Sequence, residues 1–109
     1  MAFSVEKNIA WAAIPQAIFQ QNGVKEEDVK GLVNMLRGTQ GVDVAALIME
    51  STDGNIKAEF RSNSKVNVAD IAVALGGGGH RAASGCTLPG PLPDAERRVL
   101  DEIRRQIGA

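Results

Sequence analysis

The sequence predicts an α/β (α+β) fold: a mixed central sheet of about four to five strands with helices packed on it, in a single domain. Three observations carry that prediction. Two short segments, 8–14 and 41–49, are apolar on both alternating faces, the pattern of strands covered on two sides. Two others place apolar residues at i, i+3, i+4 and i+7, the spacing of an amphipathic helix. The chain has 109 residues, enough for one core without disulfides or a structural metal and too few for two domains of ordinary size.

The elements follow in order. Residues 8–14 form the first expected strand. Pro15 suits the first turn of a helix, where its missing N–H would have no partner in any case, and 16–21 make a short helix closed by Asn22 and Gly23. Val29, Leu32, Val33 and Leu36 line one face of the next helix. Glu26, Glu27 and Asp28 put negative charge in its first turn, and Arg37 and Gly38 end it. Segment 41–49 reads as a central strand. Turn residues 51–55 join it to a strictly alternating stretch in which Ile56, Ala58 and Phe60 oppose Lys57, Glu59 and Arg61, so a hairpin with a half-exposed second strand is expected. After the polar connection 63–66, Asn67 is a good N-cap. Val68, Ile71, Ala72 and Leu75 then make a helical stripe that Gly76 stops. Cys86, Thr87 and Leu88 make a short strand, ended by Pro89, Gly90 and Pro91. Asp94 is expected to cap a last helix, with Val99, Leu100, Ile103 and Ile107 inside and Arg97, Arg98, Arg104 and Arg105 facing water or a partner.

Composition narrows the function classes. Apolar residues are 44% and charged residues 23%, a globular balance, and the apolar runs fall far short of the ~20 residues of a membrane span. The net charge of −1 provides no global field for nucleic acid, so an anionic ligand needs a local site. Tyrosine is absent and aromatics are 4%, which argues against a base-stacking platform. The single Cys86 cannot form an internal disulfide, and the start of the chain shows no signal pattern; both point to a reducing cytoplasm. Cys86 lies among small and apolar residues and is expected to be a buried thiol.

The chemistry concentrates in residues 76–85: four glycines, then the only histidine, then an arginine. Glycine permits positive φ and close approach of a ligand to backbone N–H donors, which is what a phosphate cradle requires. The run follows a helix, so it is not a dinucleotide fingerprint, and it lacks the Gly-Lys-Ser/Thr ending of a phosphate loop. A Gly-x-x-Gly clamp is matched only trivially by four glycines. His80 can donate to a phosphate oxygen, and Arg61, at a strand end beside Ser62, can fork two donors onto one. Metal-assisted hydrolysis needs clustered ligands. Asp28, Asp43, Asp53, Asp70, Asp94 and Asp101 are scattered among caps, turns and helix faces, so no catalytic metal site and no catalytic residue are expected in this chain.

Gly77-Gly78-Gly79-His80-x-x-Ala83-Ser84-Gly85 resembles the Gly-Gly-Gly-His-x-x-Ala-Ala-Gly signature of the DHH-associated C-terminal domain of the DHH phosphoesterases. Arg61-Ser62 resembles the family's second substrate-contact motif. The 28–37 helix is similar to the bacterial oligoribonuclease branch, which stands beside phosphoadenosine-phosphate phosphatases and exopolyphosphatase-related proteins. Ser84 replaces the usual alanine. The resemblance implies a substrate-binding domain over 1–109, the isolated C-terminal part of a two-domain phosphoesterase. Its substrates would be short oligonucleotides or small nucleotide phosphates. Arg61, Ser62, Gly77, Gly78, Gly79 and His80 would hold the substrate's phosphate and terminal nucleotide. Manganese or another divalent metal would sit in a missing N-terminal DHH domain, leaving this chain inactive alone, cytoplasmic, and possibly an oligomer. The alternative is a non-catalytic nucleic-acid-binding or association module similar to the C-terminal domain of alanyl-tRNA synthetases, against which His80 speaks.

Overall fold

A computed structural model of the chain describes residues 4–22, 26–63 and 65–108. The order is β1 (Ser4–Glu6), β2 (Ile9–Ile14), α1 (Gln16–Asn22), α2 (Glu26–Arg37), β3 (Val44–Glu50), β4 (Ile56–Ser62), α3 (Val68–Ala74), β5 (Gly78–His80), β6 (Ala83–Leu88) and α4 (Leu92–Ile107). Among the described residues six strands form one mixed sheet in the order β1-β2-β3-β4-β6-β5. β2 and β3 run parallel, and the other pairs are antiparallel.

Each strand of the sheet centre follows its pleat. On one face Ile9, Val44, Ala46, Ile48, Ile56, Ala58 and Phe60 pack with α3 and α4 through Val68, Ile71, Ala72, Val99 and Ile103, all essentially inaccessible to solvent. On the other face Ala10, Ala12, Ile14, Ala45, Leu47 and Met49 pack under α1 and α2 through Phe19, Val33 and Leu36. A strand buried on both sides has to be apolar at every position, which is why segments 8–14 and 41–49 announced themselves.

Helix ends match their chemistry in part. Asn67 caps α3, its side-chain oxygen accepting from the Ala69 N–H at 3.0 Å. Asp94 does not cap α4. Helix α4 starts earlier, with Pro91 at the N-cap position, and Asp94 sits in the first turn, where it favours the helix dipole and pairs with Arg97. Of the other α4 arginines, Arg105 pairs with Glu102 and Arg104 reaches Glu6 at 2.6 Å, tying β1 to the helix. The side chains of Glu26, Glu27, Asp28 and Val29, and the expected closure of α1 at Gly23, lie outside the described residues.

Two strands exceed the expected four to five. β1 is an edge strand with all three residues exposed, so it carries no burial pattern to read. β5 runs through what reads as a loop, because glycine is a poor strand former by composition and becomes a strand here only by pairing with β6. Strand β6 accordingly begins at Ala83, three residues before the expected 86.

Candidate functional site

The glycine run is the turn from α3 into β5. Gly76 takes a left-handed conformation (φ 91°) just past the Leu75 C-cap, and the Gly77 N–H returns to the Ala72 carbonyl at 2.7 Å. At Gly77 a Cβ would lie 2.2 Å from the Gly85 carbonyl oxygen and 2.6 Å from the Cys86 Cβ, so the chain there packs directly on β6. Gly79 combines φ of 143° with a Cβ position 2.6 Å from the Ser84 Cα. Two of the glycines are thus demanded by close approach of one backbone to another.

The β5–β6 hairpin, closed by Arg81 and Ala82, is stitched down on both sides. The Val68 N–H donates to the Arg81 carbonyl at 2.9 Å and the Ser62 N–H to the Ala82 carbonyl at 3.0 Å. The buried Ser84 hydroxyl donates to the Val68 carbonyl at 2.6 Å. A serine at this position therefore adds a bond between the hairpin and the start of α3. Arg81 is spent on structure, its guanidinium donating to the Lys65 carbonyl at 3.2 Å.

Register brings the expected site residues together. Arg61 pairs with Ala83 and Ala83 with His80, so the three occupy one row across β4, β6 and β5. Directly paired residues share a face, and two strand spacings put the Arg61 and His80 Cα atoms about 10 Å apart. Between them stands only the methyl group of Ala83. His80 is exposed; Arg61 is half-buried and donates through Nη1 to the Phe60 carbonyl at 2.9 Å. Ser62 belongs to the other face. It pairs with Val44 and is only 8% exposed, and by alternation its side chain lies on the α3 and α4 side.

Two further rows run beside the Arg61 row on the same face: Glu59–Gly85–Gly78, then Lys57–Thr87. Of these, Lys57, Glu59, Gly85 and Thr87, with the Gly76–Gly77 turn, line an open depression of about 370 Å³. Alternation in 56–61 already grouped Lys57 and Glu59 with Arg61. The missing signal was the pairing partner, since β6 was expected to start beyond Gly85.

Cys86 faces the core. Burial pushes its thiol up to about 11 from 9.0, and the positive charge of Arg98 pulls weakly the other way. A thiol so disposed is a poor nucleophile. Among the described residues no three His, Cys, Asp or Glu side chains gather in a way that could hold a metal ion. The described residues by themselves therefore do not fit a divalent metal. Among the described residues, too, no helix is long and apolar enough to cross a membrane.

The chain's Gly-Gly-Gly-His turn is docked on a short β-hairpin with an arginine in register two strands away, and the DHHA1 domain model matches residues 7–109. The chain belongs to the DHHA1 domain family. It is 37% identical over 83 residues to the bifunctional oligoribonuclease and PAP phosphatase NrnA of Thermus thermophilus, covering 75% of this chain and 25% of that protein. Among solved structures, an exopolyphosphatase-related protein from Bacteroides fragilis superimposes with a TM-score of 0.87 at 24% identity, over 94% of this chain and 31% of that one. The C-Ala domain of alanyl-tRNA synthetase from Aquifex aeolicus superimposes at 0.61 and 18% identity, over 94% of this chain and 97% of that domain. These two likenesses show the fold. The DHHA1 chain spans about a quarter of the curated relative it matches.

Proposed function

We propose that this DHHA1 domain is the substrate-holding part of a metal-dependent phosphoesterase acting on short oligonucleotides or small nucleotide phosphates. The observation that carries the reading is the shared row of Arg61, Ala83 and His80. A phosphate set over the Ala83 methyl group meets a guanidinium on one side and an imidazole on the other. Arg61 has only to exchange its bond to the Phe60 carbonyl for a charge-assisted bond to the phosphate, which is the stronger of the two. The turn Gly77–Gly79 brings backbone within reach of the same anion, with open space above Gly78. Ser62 acts from the opposite face, through the backbone bond that holds the hairpin against β4.

The bond-breaking chemistry belongs elsewhere. The metal, manganese or another divalent ion, would be held by a DHH domain facing this one. The NrnA of Thermus thermophilus is named for oligoribonucleotides and PAP, and a nucleotide phosphate is the substrate class that both names share. A cytoplasmic setting accords with a single buried thiol.

Two measurements test this. Titrated with inorganic phosphate or ribose 5-phosphate, the ¹⁵N-labelled chain should shift at Arg61, Gly79 and His80, with a dissociation constant in the ~1 mM range, about −4 kcal/mol. Arg61→Ala should weaken binding about tenfold or more, the loss of one charge-assisted pair. Given manganese, the chain alone should not hydrolyse a dinucleotide or PAP. Turnover that survives purification and disappears in His80→Ala would sink the claim that catalysis needs a second domain.

A further inference from the structure

The cations of the chain divide by where they find partners. On α4, Arg97 pairs with Asp94, Arg104 with Glu6 and Asp101, and Arg105 with Glu102; Arg98 alone is unpaired there. Lys7, Arg37, Arg61, Lys65 and Arg81 make no ion pair among the described residues, and the topology brings all five to one end of the sheet. Lys7 lies in the β1–β2 turn, Arg37 ends α2, Arg61 is the penultimate residue of β4, Lys65 follows β4 and Arg81 closes the β5–β6 hairpin.

Backbone bonds set these loop ends side by side. The Asp43 N–H donates to the Asn8 carbonyl at 2.8 Å, the Asn63 N–H to the Asp43 carbonyl at 2.9 Å, and the Ser62 N–H to the Ala82 carbonyl at 3.0 Å. From β2 to β5 this end spans four strand spacings, roughly 20 Å. The opposite end carries Glu50, Asp53 and Asp94. A chain of net charge −1 is thus polarised along its strands.

Little at the basic end opposes an anion. Helix α2 points its negative pole here, but the carbonyls of its last turn are all engaged. Those of Asn34 and Met35 accept from the Gly38 N–H, that of Leu36 from the Thr39 N–H, and that of Arg37 from the Asn63 side-chain amide. The same amide donates to the Val42 carbonyl at 3.3 Å and so ties Arg37 to a residue two beyond Arg61. Of the nearby carboxylates, Asp43 accepts from Asn8 Nδ2 at 2.6 Å and Glu6 from Arg104.

Resting on the phosphate-holding role argued above, we propose that this end of the sheet is a track for the backbone of a single-stranded oligonucleotide, taking the phosphates that follow the one set between Arg61 and His80. Cations without carboxylates, gathered in one line, are the footprint of a polyanion. Arg61 belongs both to the line and to the phosphate row, so the occupant is the continuation of the molecule held there. Arg37 is the next cation along, and Asn63 is its positioning residue.

The test is a ¹⁵N titration of the full chain with ribose 5-phosphate and with a 5′-phosphorylated pentanucleotide, at several salt concentrations. Both should move Arg61, Gly79 and His80. The pentanucleotide should in addition move Arg37, Asn63 and Lys65, bind about tenfold tighter at low salt, and lose affinity with salt more steeply, by about 0.7 in the log–log slope for each further phosphate neutralised. Arg37→Gln should cost the pentanucleotide about tenfold and one such step of slope, whereas Arg37→Lys keeps the slope. Arg98→Gln removes the same charge from α4, on the other side of the sheet, and should leave the pentanucleotide's affinity in place. A pentanucleotide that binds no tighter than ribose 5-phosphate, or equal losses in Arg37→Gln and Arg98→Gln, overturns the track and leaves the phosphate site standing. If neither ligand moves Arg61 or His80, the phosphate site falls and the track with it.

Discussion

One face of this sheet carries two unlike surfaces. Over β2 and β3 the residues pointing toward α1 and α2 are Ala10, Ala12, Ile14, Ala45, Leu47 and Met49, all buried. Over β4, β6 and β5 the same face shows Lys57, Glu59, Arg61, Ala83, Gly85, Thr87, Gly78 and His80, which are exposed or only half-buried. The difference is that the covered half is apolar and the open half alternates charge with glycine. Helix α2 reaches as far as β4; beyond it an uncovered apolar face would be an aggregation hazard, and this one is polar in its rims and carries Glu59 and two glycines in its middle row. The opposite face, under α3 and α4, is apolar across β2, β3 and β4, so the proposed binding surface and the core under α3 and α4 lie on different sides of the same strands.

Five substitutions would break or sharpen that contrast. The largest effect is expected from β4 itself, where Phe60 and Lys57 lie on one strand with opposite aspects. Phe60→Ala opens a cavity in the face under α3 and α4 and should cost about 3–5 kcal/mol in urea unfolding. Lys57→Ala should stay within about 1 kcal/mol. Comparable losses at both positions would mean that the open face also supports the fold.

Next comes the glycine run. Gly77→Ala drives a methyl group into the Gly85 carbonyl and Cys86, both parts of the neighbouring strand rather than flexible tips, and should destabilise by about 3 kcal/mol. Gly78→Ala, one residue on and facing open space, should change stability by no more than about 0.5 kcal/mol. A large cost at Gly78 would remove the distinction between structural and binding glycines.

The smallest effect concerns Cys86, whose thiol ionises less readily folded than unfolded. Because the folded value is the raised one, its contribution is complete below pH 9 and is lost as the pH climbs toward about 11. The full difference is about 2–3 kcal/mol, and only part of it is reached at accessible pH. Cys86→Ala should flatten the fall of stability between pH 9 and 10.5, and the wild-type thiol should react sluggishly with an alkylating reagent at pH 8. Fast alkylation would place Cys86 at the surface of the depression instead of in the core.

How much was legible in the sequence depends on the kind of signal each residue carries. Segments 8–14 and 41–49 declared two-sided burial, and Val68, Ile71, Ala72 and Leu75 declared a helix, because burial imposes a period that sequence records directly. The Gly-Gly-Gly-His motif with Arg61 marked the family and the candidate site. β1 and β5 left no such record: each pairs along one side only, at the sheet edge, with every residue exposed. Asp94 was misleading because aspartate favours both the N-cap and the first turn, and only the start of α4 at Leu92 separates the two.

Local chemistry along the chain therefore determined the elements, the core faces and the residues able to hold a phosphate. The tertiary structure decided what those residues stand beside. Register across β4, β6 and β5 set Arg61 level with His80, laid Gly85 and Gly78 bare next to Glu59, and turned Ser62 to the other face. Pairing between strands is a long-range choice made by packing, and a shift of one residue would move every one of these side chains across the sheet. No period within a single segment records that choice.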